Sequence, residues 1–415
     1  MQPKSKARAR THPKRSRLLY GGVGLSVAAL ALAACGSSSS SGSSGSSSGA
    51  SSSKAPYNIG FTSGLTGQFG AVGQGVRDGA ESYFDAVNKS GGVNGHPIKF
   101  TALDDALDPN RGVANMIQLV TQDHDIGVIG FHDSVVADAV APYAAKFKVP
   151  LIAATVDQTL VQPALPYVYA VTVQTASYAA SQVAMAQQLM KNHSGPVKVA
   201  IITVSDSAGN QQWEDDVTTI AKSLGWDVVE DLITPQDAVN AAPDVAKVIA
   251  AKPDVFIMAL GTDPFEIAAV KQIEQAGATF PIINYDFASW NALQSLHSKQ
   301  LYDVAAIAYG TTSATPEFIK DTTAAGFSPN AIYVNKGYLE AMAITAALQK
   351  CGYPCTGSQL EAQLNKLSIS TGGMIQGGMH YTPTDHEAVT YMAGFQWLPG
   401  AGAPVKVASN LKAGT

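Results

Sequence analysis

The sequence predicts an α/β fold built on doubly wound parallel sheets, and three observations carry that expectation. From Tyr57 onward, short runs of Val, Ile, Leu and Ala alternate with longer segments of helical period. Several of those runs are apolar without a break, the pattern of strands buried on both faces of a parallel sheet. The stretch 54–415 is also long for one domain and natural for two. The expected strands are 57–62, 98–102, 126–131, 150–154, 197–204, 227–232, 254–260 and 282–285. After the first, Val76, Ala80, Tyr83, Phe84 and Val87 recur at helical spacing, and Gly91-Gly92 supplies the stop. Asp108-Pro109 opens the next helix, with Asp capping free amides and Pro accepting the first helical position. In such sheets ligands bind beyond the carboxyl ends of the strands, so function is sought in the loops that follow them.

The amino-terminal segment is of another kind. Seven basic residues (Lys4, Lys6, Arg8, Arg10, Lys14, Arg15, Arg17) precede the apolar run 23–34. This reads as a secretory signal, too short for a membrane-spanning helix of about 20 apolar residues. Its end, Leu32-Ala33-Ala34-Cys35, resembles the lipobox of bacterial lipoproteins. That resemblance implies cleavage after residue 34 and a lipid on the Cys35 thiol, anchoring the mature chain to a membrane outside the cytoplasm. Residues 36–53 are almost wholly Ser and Gly, and 35–55 is expected to be a tether spanning roughly 20–25 Å. Without residues 1–34 the chain keeps 20 Lys+Arg against 32 Asp+Glu, a net −12. That balance argues against nucleic acid as a partner. Cys351 and Cys355, in C-G-Y-P-C, are most simply a local disulfide in an oxidising compartment. A redox or metal site is the rival reading, though the spacing is not C-x-x-C and no histidine cluster lies near in sequence.

Three further stretches belong together. They are Gly60-Phe61-Thr62-Ser63-Gly64-Leu65-Thr66-Gly67-Gln68-Phe69-Gly70 with Gly75-Val76-Arg77-Asp78-Gly79-Ala80, then Asn88-Lys89-Ser90-Gly91-Gly92-Val93-Asn94-Gly95-His96-Pro97-Ile98, then Asp104-Asp105-Ala106-Leu107-Asp108-Pro109. In that order they resemble the branched-chain amino-acid-binding type of periplasmic binding protein, the solute receptors of ABC importers. The resemblance implies two lobes (56–172 plus 309–379, and 173–308 plus 380–415) joined by a three-segment hinge. Its crossovers fall near 171–174, 307–310 and 379–382. It also implies a monomer that binds a small solute between the lobes and docks on a membrane permease, with no cofactor and no metal.

The amino-terminal lobe of that family takes the solute's carboxylate on backbone amides and small hydroxyls. The matching positions here are Gln68, Phe69, Ser134, Val135, Thr155 and Asp157, with Ser134 and Thr155 as the hydroxyls and Phe69 as the aromatic over the solute. In the other lobe Asp286 stands at the family's acidic partner for an ammonium. Ala208 and Thr262 stand where amino-acid binders carry tyrosine. Losing two phenols weakens an ammonium clamp, and aromatics (Phe131, Trp213, Tyr285, Phe287, Trp290) cluster near the same cleft in sequence. An amide or aromatic solute therefore competes with an amino acid. Structural readings stand beside each position: Ser134 or Asp286 as helix caps, Thr155 as a turn residue, Phe69 as lid packing.

No nucleophile elbow, H-E-x-x-H or P-loop follows the tether. His132-Asp133-Ser134 is triad-like only on paper, because consecutive side chains diverge. His380 and His386 are read as surface-loop residues. Asp104, Asp105 and Asp108 lack the glycine and closing glutamate of a calcium loop. The sequence thus reads as a non-enzymatic, lipid-anchored solute receptor; the alternative is a ligand sensor docking on a signalling receptor.

Overall fold

The computed structural model describes residues 54–67, 69–155, 158–173, 175–204, 208–235, 238–259, 263–285, 296–308, 315–396, 398–401 and 404–412. Strand β1 (Tyr57–Ser63) pairs in parallel with β2 (Ile98–Asp104) on one side and β3 (Val128–Gly130) on the other. Two further parallel strands, β4 (Leu151–Ala153) and β5 (Val168–Ala170), complete the order β2-β1-β3-β4-β5. The linking helices are α1 (Gly70–Lys89), α2 (Pro109–Thr121) and α3 (Ser134–Phe147). Local chemistry sets their ends. The Asp108 carboxylate accepts the Asn110 amide at 2.8 Å while Pro109 opens α2. Beyond α1, Gly91 and Gly92 adopt left-handed φ values of 101° and 77°.

The second sheet has the order β7-β6-β8-β9-β10 in its parallel part, formed by β6 (Lys198–Val204), β7 (Asp227–Thr234), β8 (Val255–Ala259), β9 (Ile282–Tyr285) and β10 (Leu301–Ala305). Helices α4 (Thr175–Leu189), α5 (Ala208–Ser223), α6 (Ala242–Ala251) and α7 (Asp263–Gln275) accompany it. The chain then returns to the first sheet as α8 (Pro316–Ala324), α9 (Val334–Cys351) and α10 (Gly357–Leu364). A short pair, β11 (Ser368–Ile369) and β12 (Met379–His380), follows. Strands β13 (Tyr391–Gln396) and β14 (Val405–Lys412) finally close the second sheet antiparallel, β13 against β10. The eight expected strands are all present, with ends shifted by up to two residues. Strands β5, β10, β13 and β14 were not expected. β5 is too short to show a period, β10 is interrupted by buried Asp303, and β14 exposes most of its residues.

Helix α9 lies across α1 and reaches β3. Two glycines make the crossing possible: a Cβ on Gly79 would fall on the Val334 carbonyl oxygen, and one on Gly337 on that of Val76. Between α9 and α10, Cys351 and Cys355 are joined by a disulfide. Thr356 then starts α10 with a capping box, its hydroxyl accepting the Gln359 amide at 3.3 Å.

The chain goes from the first sheet to the second between β5 and α4 and back between β10 and α8, and Ala308 donates its amide to the Met374 carbonyl. The third passage lies after Ala388, not at 379–382. Residues 381–388 are held on the first sheet: the Tyr381 hydroxyl bonds the Ala170 carbonyl at 3.0 Å, and Ala170 bridges Glu387 in parallel. His386 is likewise no surface-loop residue. It is 2% exposed, reaches the Val168 carbonyl and the Asn365 side chain, and stacks on Tyr169. His380 is exposed.

Candidate functional site

In the first sheet the strand order reverses between β2 and β3 around β1, so the carboxyl ends of β1 and β3 bound a crevice. The loops after β1, β3 and β4 gather there. Ser134 is the first residue of α3, and Thr155 lies two residues past the end of β4. Their hydroxyls share a hydrogen bond of 2.6 Å. Ser134 is not the helix cap: Asp133 is, its carboxylate accepting the Val136 amide at 3.1 Å. This also engages the Asp133 carboxylate, whose charge would otherwise oppose an anion in the crevice. The Ser134 hydroxyl is therefore available for the crevice rather than spent on the helix. Val135 beside it is 63% exposed, and Phe69 is half-buried at the entry to α1 without capping it.

The sequence missed a second layer. The Ser63 hydroxyl, at the end of β1, shares a 2.6 Å hydrogen bond with His132 Nδ1, just past β3. His132 Nε2 is buried and has no hydrogen-bond partner among the described residues. Burial, aided by the nearby Lys336 ammonium, holds this imidazole down at about 4, so it is neutral at physiological pH. Lys336 itself is buried, its ammonium 3.6 Å from the centre of the Tyr333 ring. One turn along α9, burial pushes the Glu340 carboxyl well up, against the opposing influence of the Gly130 amide and Lys336. Helical periodicity signals α9, but nothing in it says that this helix would lie behind β3.

Such an arrangement offers an anion two hydroxyls and the positive end of α3, with a buried ammonium behind. The Ser63–His132 couple has no carboxylate behind the imidazole, and Ser63 is 1% exposed. It is a hydrogen-bonded corner rather than a nucleophile with its base. The Asp104 and Asp105 carboxylates are engaged by Leu65, Thr66 and Ala106, and by Thr62 and Leu107. Among the described residues no group of His, Cys, Asp and Glu is arranged to hold a metal.

On the second sheet, Phe131's expected companions in the cleft turn out to be core. Phe131, Trp213 and Tyr285 are all at most 1% exposed, and Tyr285 packs on Tyr178. Ala208 opens α5 after β6, a carboxyl-end position on this sheet. Gln68, Asp157, Thr262 and Asp286 lie outside the described residues, as do Phe287, Trp290 and Cys35. Among the described residues, no helix is long and apolar enough to cross a membrane.

Two largely parallel α/β sheets, between which the chain passes more than once, define the two-lobed fold of the periplasmic binding protein type 1 kind. Residues 56–403 match the periplasmic binding protein family, and the chain belongs to it. It is 37% identical over 70 residues to Leu/Ile/Val-binding protein homolog 3 of Brucella melitensis, a match covering 17% of this chain and 19% of that protein. The chain thus aligns with about a fifth of the length of this curated relative. Among solved structures, it resembles a solute-binding protein of an ABC transporter from Rhodopseudomonas palustris in complex with p-hydroxybenzoic acid (TM-score 0.74, 16% identity, covering 87% of this chain and 98% of that one). It also resembles a branched-chain amino acid transporter substrate-binding protein from Streptococcus pneumoniae in complex with isoleucine (TM-score 0.70, 18% identity, covering 85% and 99%). At these identities the likenesses establish the fold.

Proposed function

We propose that this protein is a lipid-anchored receptor outside the cytoplasm that captures a small solute for an ABC importer. The solute is an amino acid or a related amide or aromatic compound, held between the two sheets by hinge closure. The observation that carries the reading is the Ser134–Thr155 hydroxyl pair at the amino end of α3, freed from capping by Asp133. Uncharged donors at a helix start hold a carboxylate by hydrogen bonds and the positive end of the helix dipole. Relatives whose names or bound ligands specify branched-chain amino acids and p-hydroxybenzoic acid support that solute range. The anchor rests on Leu32-Ala33-Ala34-Cys35, and the permease partner on the family.

A thermal-shift screen against amino acids, short amides, aromatic acids and sugars tests it. A solute at 100 times its dissociation constant should stabilise the protein by about 2.7 kcal/mol. Stabilisation by a carboxylate that disappears in Ser134→Ala with Thr155→Val supports the site. Stabilisation by sugars alone would sink the carboxylate reading. For the anchor, Cys35→Ala should move the protein from membranes to the soluble fraction; retention on membranes would overturn it.

A further inference from the structure

A second cavity, of about 450 Å³, lies on the outer side of the first sheet, away from the carboxyl-end crevice. It is walled by the carboxyl-terminal half of α1, by α8 and α9, and by residues 371–374. We propose that this cavity is a binding site for a small organic ammonium ion, separate from the solute cleft.

Three aromatic rings form its corner. Tyr83 meets Tyr338 edge to face at 4.8 Å and 87°, and Phe318 meets Tyr338 at 5.1 Å and 80°. Phe318 and Tyr338 are buried behind this corner, so half-buried Tyr83 is the ring that meets an occupant, and its π-system attracts a cation. The charge is supplied by Asp321, whose carboxylate accepts the Tyr338 hydroxyl at 2.7 Å. The Tyr83 phenol is pushed up to about 12, chiefly by burial and then by Asp321, so it stays neutral. On the rim, Lys320 and Glu317 pair with each other at 3.1 Å and are both exposed. They largely cancel, which leaves Asp321 as the charge that faces the rings.

The wall takes in the negative end of α1 at Ser90 and Gly92 and the positive end of α8 at Thr315 and Pro316, so the two helix dipoles offset each other there. Met342 and Met374 add polarisable thioethers to the wall. The wall is also preformed, since the Met374 carbonyl accepts the Ala308 amide at 2.7 Å. An acid flanked by tyrosines is the chemistry an ammonium requires, and here it stands on the outer face of one lobe. The volume falls within the usual range for small-molecule sites, about 300–1,000 Å³.

Isothermal titration calorimetry with choline, and with its uncharged isostere 3,3-dimethylbutan-1-ol, tests the assignment on the whole protein. Choline should bind saturably and about tenfold or more tightly than the isostere. Asp321→Asn, which keeps an acceptor for Tyr338, should weaken choline about tenfold and leave the isostere unaffected. Tyr83→Leu, at a half-buried position, should weaken choline about fivefold and serves if the first variant unfolds. Ser134→Ala, in the cleft, should leave choline binding unchanged. Absence of saturable choline binding, equal affinity in Asp321→Asn and Tyr83→Leu, or loss of binding in Ser134→Ala would each overturn the proposal. Failure of the cleft screen, by contrast, leaves this result standing.

Discussion

In the first sheet the covering helix α9 meets α1 backbone to backbone through Gly79 and Gly337. In the second, the covering helices α4 and α5 are tied instead by one buried amide. Gln182 donates to the Met258 carbonyl at 2.8 Å and accepts the Trp213 indole at 2.7 Å. Both solutions shield a parallel sheet from water, but they fail differently. A glycine contact has no room for an added atom, whereas a buried amide tie has no substitute for a lost one.

The largest expected effect follows from the glycine contact. Gly337→Ala drives a methyl group onto the Val76 carbonyl and should cost about 3 kcal/mol or more in urea unfolding. A loss under about 1 kcal/mol would show that α1 and α9 part freely, and would remove the contrast. In the second sheet, Gln182→Leu leaves the Trp213 N–H buried without its acceptor, at about 1–3 kcal/mol. Adding Trp213→Phe should recover part of that loss; a purely additive double variant would mean that the tie is idle. Between Ser134 and Thr155 the expected coupling is smaller. Ser134→Ala and Thr155→Val should show about 1 kcal/mol of interaction in a double-mutant cycle without ligand. Zero coupling would mean that the hydroxyls do not hold each other in the free protein.

The finest comparison lies within the first sheet, between its two ends. Asp125, just before β3, has both carboxyl oxygens buried without a hydrogen-bond partner among the described residues. Burial, then Asp123, raises it from 3.8 to about 7 against the weaker pull of Lys99. The folded chain therefore keeps a proton that the unfolded chain has released, and the Asp125 contribution falls as pH rises from 3.8 to about 7. His132, at the other end, is lowered from 6.5 to about 4, so its contribution grows as pH rises through that interval. The two oppose each other in the native protein. Melting temperatures across this window should tilt upward with pH in Asp125→Asn and downward in His132→Gln, each relative to the native protein. Variants that tilt the same way would refute the opposition.

Most of the parallel strands were legible because burial writes near-continuous apolar runs, whereas β5 is too short and β10 is interrupted by Asp303. Ser134 and Thr155 came from the resemblance, which points to the loops that follow strands, and the structure brings their hydroxyls together. The carboxyl-terminal strands escaped because an edge hairpin exposes half its side chains, as Val405, Lys406 and Val407 do. The Lys336–Glu340 layer behind the crevice escaped for another reason. Those residues lie on a helix about 200 positions from His132, and a period of 3.6 reports a buried face without naming what covers it. His386 looked like a surface residue because its burial comes from Tyr169 and Asn365, both remote in sequence.

The return of residues 386–388 to the first sheet covers what would otherwise be an open sheet edge. The outward groups of β5 are all engaged there: the Val168 carbonyl by His386 Nδ1, the Ala170 amide by the His386 carbonyl, and the Ala170 carbonyl by the Ala388 amide. A flat, apolar three-residue edge, which would otherwise invite a strand from another molecule, is capped by the chain's own tail end before the last hairpin forms. A chain interrupted near residue 380 would carry that edge bare, open to pairing with a strand from another molecule.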